Sequence, residues 1–106
     1  MATLADFQQL DLRVATVLAA EHHPNADRLM VLKIDLGGDE RQIVAGIRAS
    51  YEPAALVGRQ IVVVANLEPA MLRGVGSQGM LLAARDGERV VLVGLDSSVS
   101  PGSKVS

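Results

Sequence analysis

The sequence contains no cysteine and no tryptophan, and its only aromatic residues are one tyrosine and one phenylalanine. Without cysteine the chain can form neither disulfide bonds nor thiolate metal sites, and a cysteine nucleophile is excluded. No apolar run approaches the roughly 20 residues that span a bilayer, and segment 1–11 lacks the basic and apolar parts of a signal peptide. We therefore expect a soluble, cytoplasmic protein that does not bind membranes.

The chain also lacks an excess of positive charge. Its 10 Lys and Arg residues are outnumbered by 12 Asp and Glu residues, which gives a net charge of −2. Because non-specific binding to nucleic acid depends on cations that neutralise phosphates, this balance argues against a protein that coats polyanions indiscriminately. A local group of arginines is still compatible with the total, since net charge does not report where the charges lie.

Apolar residues make up 49% of the sequence, and most of them are Val, Leu, Ile and Ala. This content is enough for a buried core, whereas 106 residues are too few for two cores that would each be stable. We therefore predict a single domain that covers residues 1–106.

The apolar residues occur in short segments along the chain, and no long segment has the periodicity of a helix. Alternating or continuous apolar residues predict strands at 10–18, 29–36, 41–46, 60–66, 79–84 and 89–93. Glycines predict hairpin turns at Gly37-Gly38 and Asp86-Gly87. Thr3 with Asp6 predicts a capped helical turn, and Pro53 with Gly58 predicts a short helix. In the tail, Val99 and Val105 suit an edge strand.

This element order predicts an all-β fold. We expect a five-stranded Greek-key barrel of the oligonucleotide-binding (OB) type, with a short helix between strands 3 and 4 and short N- and C-terminal extensions. An immunoglobulin-like sandwich fits less well, because it has more strands and lacks that helix.

Four segments carry a resemblance to a known family: DLRVATV (11–17), HPNADRL (23–29), RQIVAGI (41–47) and NLEPAMLRGVGSQGMLLA (66–83). With YEPAALVGR (51–59) they span nearly the whole chain. The sequence resembles the tRNA-binding domain family, which comprises the C-terminal OB-fold module of bacterial methionyl-tRNA synthetase and its free-standing relatives. The resemblance implies a non-catalytic homodimer that binds tRNA by its shape, supports aminoacylation and partners the catalytic body of a synthetase.

The resemblance and the placement of basic residues together give a set of candidate RNA-binding residues. These are Arg28, Lys33, Arg48, Asn66, Arg73, Ser77 and Met80. A guanidinium can hold a phosphate through two parallel hydrogen bonds, amides and hydroxyls can reach phosphate or a 2′-hydroxyl, and a methionine can pack on a splayed base. The competing structural interpretation is that the Asn and Ser cap turns, the Met belongs to the core and the cations are merely solvated.

Two departures weaken the expected RNA affinity. Many family members have Lys or Arg in the loop after Asn66-Leu67, where this chain has Glu68 and Ala70. Fewer cations release fewer counterions, so we expect modest and salt-sensitive binding. Since only Phe7 and Tyr51 could stack on bases, unstructured single strands should bind poorly, and folded tRNA is the better ligand.

The sequence gives no support for a catalytic or metal site. His22 and His23 are adjacent and would point in opposite directions on an extended segment, and no third ligand follows at a recognisable spacing. We predict no cofactor, no metal and no catalysis. Two other functions stay open: a dimerisation or scaffold domain with weak RNA affinity, and a secretion-chaperone relative that binds unfolded polypeptide. The intact segment 73–80 disfavours the second.

Overall fold

Ten short strands and two short helices make up the structure, a computed structural model that describes all 106 residues. In chain order they are α1 (Leu4–Gln8), β1 (Leu12–His22), β2 (Met30–Asp35), β3 (Glu40–Ala45), α2 (Pro53–Leu56), β4 (Gln60–Val64), β5 (Ala70–Leu72), β6 (Val75–Ser77), β7 (Met80–Leu81), β8 (Ala83–Asp86), β9 (Arg89–Leu92) and β10 (Lys104–Val105).

The main sheet has the strand order β3-β2-β1-β4-β7, and β10 pairs with β1. Its two edges approach each other, because Ser77 at the end of β6 and Gln78 just after it form hydrogen bonds with β3. The Gln78 N–H donates to the Gln42 carbonyl at 2.8 Å, and the Val44 N–H donates to the Ser77 hydroxyl oxygen at 2.9 Å. The sheet is thus a nearly closed barrel, and α2 lies between its third and fourth strands. The predicted barrel is confirmed.

A cluster of 13 buried residues fills the barrel. Met30, Leu32 and Ile34 belong to it and lie on one face of β2, as the alternating pattern predicts. β4 lies in the middle of the sheet and is buried on both faces, because a second, smaller cluster covers its outer side. That cluster consists of Leu12, Val62 and Val64, with Leu82 and Val105 packed against it.

The predicted face of β1 was wrong. The pattern predicts that its even-numbered apolar residues face the core, whereas Ala15 and Val17 do so. Leu18 is 41% exposed. The pairing with β2 shifts between Val17 and Ala19, which marks a bulge that changes the direction of the following side chains. Alternation fails here because the first half of β1 is covered on both faces and the bulge interrupts the second half.

The segment from 66 to 92 differs most from its prediction. The region between the predicted strands 60–66 and 79–84, for which no strand is predicted, contains the hairpin β5–β6. Its turn residues Arg73 and Gly74 both have positive φ, 53° and 88°. The predicted strand 79–84 is divided into β7 and β8 at Leu82. The next turn is displaced by one residue, since Asp86 pairs with Arg89 and leaves two residues between them.

The two termini differ in how they relate to the barrel, and neither belongs to its main core. The predicted cap of α1 is confirmed, since Thr3 and Asp6 form a reciprocal capping box, yet no residue of α1 is buried. In the tail, Val105 pairs with Leu12 as predicted, whereas Val99 lies outside any strand. Neither helix is long and apolar enough to cross a membrane.

The turn before β10 packs directly against the turn between β2 and β3. A Cβ atom on Gly37 would lie 2.6 Å from the Pro101 carbonyl oxygen, and one on Gly102 would collide with the carbonyl oxygen of Leu36. Both glycines also have φ near +86°. The tail can therefore approach the barrel this closely only because these two positions have no side chain.

Candidate nucleic-acid interface

The loop between β1 and β2, residues 23–29, forms the centre of the candidate site. Its first residue, His23, is only 3% exposed. The Nδ1 atom accepts a hydrogen bond from the Asn25 N–H at 2.9 Å, so the proton is on Nε2, which donates to the Leu72 carbonyl oxygen at 2.9 Å. His23 therefore ties this loop to the hairpin β5–β6.

Three arginines lie in this loop or contact it. Arg28 lies within it, and Arg73 at the tip of the hairpin donates to the Asn25 carbonyl at 3.5 Å. The guanidinium of Arg48, which follows β3, donates to the Ala26 carbonyl at 3.4 Å. The structure thus brings together three of the seven predicted residues.

A fourth arginine, which the sequence analysis missed, extends this group. Arg85 on β8 lines a groove together with Arg28, and a second groove together with Met80. We refer to Arg28, Arg48, Arg73 and Arg85 as the arginine surface. No local signal separates Arg85 from an ordinary solvated strand residue, because its relation to Arg28 depends on the fold.

None of these four arginines forms an ion pair. The three ion pairs of the molecule join Arg13 and Lys104 to Asp11, at 2.9 and 3.2 Å, and Arg41 to Asp39 at 3.0 Å. Asp27 and Glu88 line the same grooves as the arginine surface without pairing with it. The guanidinium groups are therefore free to bind an anion through their paired N–H donors.

Lys33 lies apart from the arginine surface. It is exposed on the outer face of β2, where it shares a groove with Glu21 and Gln42. It forms no ion pair, so its charge is available, but it would contact a different part of any bound RNA.

Asn66 is occupied by a structural role. Its side-chain oxygen accepts from the Asp11 N–H at 2.8 Å, and its amide nitrogen donates to the Gln9 carbonyl at 2.7 Å. These bonds fasten the chain before β1 to the end of β4. Asp11 lies at the opposite end of β1 from loop 23–29, so the structure does not bring Asn66 to the arginine surface.

Ser77 is likewise committed to the barrel. It is 4% exposed, and its hydroxyl donates to the Gly79 carbonyl at 3.0 Å while accepting from Val44. An RNA contact would require it to leave these partners. Both residues therefore fit the structural interpretation better than the RNA-binding one.

Met80 is not a core residue. It is 49% exposed and lines an apolar groove next to the arginine surface. Other residues of this groove include Gly46, Ile47, Leu72 and Val90, and Arg85 is the only charged residue that lines it. Met80 is therefore available to a ligand.

Comparison with known proteins decides the family. Residues 12–104 match the model of the family described as "Putative tRNA binding domain". The chain belongs to the tRNA-binding domain family. Methionine–tRNA ligase of Pyrococcus abyssi is 57% identical to this domain over 100 residues, which cover 94% of the chain but 14% of the ligase. The domain thus spans about a seventh of the length of that relative.

Solved structures confirm the fold. The crystal structure of a MetRS related protein from Pyrococcus horikoshii superposes on this tRNA-binding domain with a TM-score of 0.93 at 33% identity, covering 100% of this chain and 98% of the other. The crystal structure of the chaperone CsaA from Bacillus anthracis gives a TM-score of 0.91 at 36% identity, covering 100% and 99%. Similar proteins of the family thus bear the names of ligases and of a chaperone.

Proposed function

We propose that the domain binds folded tRNA through the arginine surface and adds RNA affinity to the catalytic body of a methionyl-tRNA synthetase, without catalysing a reaction itself. One observation carries this proposal: Arg48 and Arg73 contact loop 23–29, which contains Arg28, Arg85 shares a groove with Arg28, and none of the four forms an ion pair with a carboxylate. Family membership and the ligase relatives support tRNA as the ligand.

The geometry suits recognition of a pre-shaped RNA backbone. Each guanidinium can grip one phosphate with two hydrogen bonds, and binding releases the counterions that the phosphates held. His23 fixes the loop that carries Arg28 against the hairpin that carries Arg73. The backbone segments that carry the two cations therefore keep a set separation, which a folded RNA can match and a flexible strand can match only by losing conformational freedom.

The two departures from the family pattern lie at the foot of the hairpin. Glu68 and Ala70 are exposed there, where many family members carry cations, so the cationic surface does not continue along β5. Affinity should therefore be modest at physiological salt and should rise steeply as the salt concentration falls.

We also propose that residues 1–106 act as one module, that the module is a homodimer and that it works in the cytoplasm beside the synthetase. Exposed apolar side chains support an interface between copies: Leu4 and Phe7 on α1 are 71% and 42% exposed. Apolar groups that gather on a surface commonly mark a contact with another protein.

The first experiment is a fluorescence-anisotropy titration at low salt with folded tRNA and with an unstructured RNA of equal length. Tighter binding of the tRNA supports the proposal, and equal affinity for the two RNAs contradicts it. Arg48→Ala combined with Arg73→Ala should weaken the tRNA complex. If the domain acts only as a scaffold, the same double variant leaves the tRNA interaction unchanged in the titration. The dimer should also be unchanged in analytical ultracentrifugation.

The chaperone neighbour favours a second candidate function, the binding of unfolded polypeptide. The structural match extends over the whole of both chains, so the fold itself does not distinguish the two functions. Suppression of the aggregation of a denatured client protein, in the absence of RNA and at stoichiometric amounts of the domain, would support this candidate. A domain that binds tRNA but leaves the client to aggregate would contradict it.

A further inference from the structure

The apolar groove beside the arginine surface is not explained by phosphate contacts. We propose that this groove receives one unstacked nucleobase of the bound RNA. The inference rests on the proposed tRNA binding and extends it from backbone contacts to a specific contact with a base.

The floor of the groove suits a flat aromatic ring. Met80 and Leu72 are 49% and 37% exposed there, and Ile47 lies buried behind them. Methionine is flexible and polarisable, so its thioether can adapt to the face of a π system. A base placed on these side chains would remove apolar surface from water on both partners, which is favourable in proportion to the area buried.

The charges around the groove favour a nucleotide over other apolar ligands. Arg85 is the only charged residue that lines it, and the neighbouring groove, which shares Arg85 with it, adds Arg28 and one carboxylate, Glu88, which pairs with neither arginine. In an RNA chain, the ribose that carries a base has a phosphate on each side. The base can therefore occupy the apolar floor while the phosphates meet these arginines, whereas an apolar peptide side chain would match only the floor.

The size of the groove sets a further limit. Its volume of about 410 Å³ is near the lower end of the roughly 300–1,000 Å³ range of small-ligand pockets. The groove therefore has room for a nucleobase. Because removing a base from a helix costs free energy, and least when the base is already unpaired, the occupant should come from an unpaired loop or end of the RNA.

Gly46 offers a direct way to close the groove. It lines the groove, and the nearest atom to a Cβ built on it is Leu29 Cδ2 at 4.0 Å. Gly46→Leu should therefore fill the groove without displacing the core. We expect tRNA affinity to fall about tenfold, the size that burial of roughly 55 Å² of apolar surface gives, with an unchanged salt slope.

Gly94→Leu is the matched control. A Cβ at Gly94 meets only the Gln60 carbonyl oxygen at 3.7 Å, and Gly94 does not line the groove. This variant should bind tRNA as the unmodified protein does. Met80→Gln provides a second test should Gly46→Leu fail to fold, because Met80 is exposed and its replacement keeps the side-chain length.

Methyl NMR of the unmodified protein gives a direct readout. A stacked base should shift the Met80 methyl resonance upfield on addition of tRNA, while the resonance of Met30, which is fully buried, stays in place. Gly46→Leu should abolish the Met80 shift.

The outcomes separate this inference from the proposed function. If the unmodified protein binds tRNA, Gly46→Leu binds it equally well and the Met80 methyl does not move, the groove holds no base and the phosphate-based function stands. If the unmodified protein does not bind tRNA, both proposals fail. If Gly46→Leu retains tRNA affinity but loses the suppression of client aggregation, the groove takes polypeptide, which also overturns the inference.

Discussion

Two regions of the barrel use their cations in opposite ways. In the paired corner, which we define by Asp11, Arg13, Asn66 and Lys104, both cations bind the Asp11 carboxylate and the asparagine amide bonds the backbone. On the arginine surface the four guanidinium groups have no carboxylate partner. The difference shows why a net charge of −2 does not decide whether RNA can bind: what matters is where cations are left unpaired.

Topology explains the difference. β10 aligns Lys104 with Arg13, and Asp11 precedes Arg13 by two residues, so three charges meet at one corner. At the arginine surface the nearest acceptors are the backbone carbonyls of Asn25 and Ala26, at 3.5 and 3.4 Å. These long, uncharged contacts orient a guanidinium only weakly, so a phosphate can displace them.

The largest effect should come from removing three unpaired cations. Replacing Arg28, Arg48 and Arg73 together by Gln should weaken tRNA binding by about a hundredfold at low salt, because three phosphate contacts are lost. The slope of log Kd against log salt should decrease by about 3. Titrations at four salt concentrations measure both quantities.

The three cations that form ion pairs supply a charge-matched control. The triple replacement of Arg13, Arg41 and Lys104 by Gln removes the same formal charge, but every cation in it already has a carboxylate partner. We expect tRNA affinity and salt slope to change little. An equal loss of affinity in both triple variants would show that total charge, and not the arginine surface, governs binding.

The next effect concerns stability rather than affinity. Ser77→Ala should lower the free energy of unfolding by about 2 kcal/mol, because it leaves the buried Val44 N–H without an acceptor. Urea denaturation measures this, with Ser97→Ala on the exposed tail as a control that should change nothing. If Ser77→Ala instead weakens tRNA binding at full stability, Ser77 contacts RNA after all.

His23 links loop 23–29, which carries Arg28, to the hairpin β5–β6, which carries Arg73. Its loss should weaken tRNA binding by a smaller factor. His23→Gln breaks the fixed geometry of both imidazole hydrogen bonds, so we expect about fivefold weaker tRNA binding with an unchanged salt slope. The control is His22→Gln, since His22 is exposed and forms no side-chain hydrogen bond. Equal affinities of the two variants would contradict a positioning role for His23.

The smallest effect lies in the paired corner. The hydrogen bond from Arg13, together with Lys104, holds the pKa of the Asp11 carboxyl below its ordinary value of 3.8. A lowered folded-state pKa means that this stabilisation is present above the unfolded value and is lost as the pH falls through the folded one. Because these side chains are partly exposed, Asp11→Asn should lower the free energy of unfolding by only about 0.5 kcal/mol at pH 7, and by less at pH 2. Denaturation curves at both pH values test this.

Local patterns predicted the parts of the fold that depend on local chemistry. Alternation identified the core face of β2, and the Gly37-Gly38 pair identified the following turn. The hairpin β5–β6 was not predicted, because Arg73 in its turn has a positive φ. Arginine rarely adopts this conformation, and composition does not reveal it.

The candidate site was predicted only in part for a similar reason. Arg28, Arg48 and Arg73 were identified, but their grouping follows from the barrel. Asn66 bonds residues that are 55 and 57 positions away, and Ser77 bonds one that is 33 positions away. Such long-range partners leave no mark on the local sequence, so the structural roles of these side chains emerge only from the fold.

The contact between Gly37 and Gly102 affects whether β1 can pair with a strand of another molecule. The tail that it seats supplies hydrogen bonds to the first half of β1, through Ser103 and Gly102 to Val14. A methyl group on either glycine would push the tail away and expose these backbone groups to water. An uncovered strand of this kind is a template for pairing with a strand of another molecule. The two glycines therefore guard against aggregation, because they let the tail cover β1.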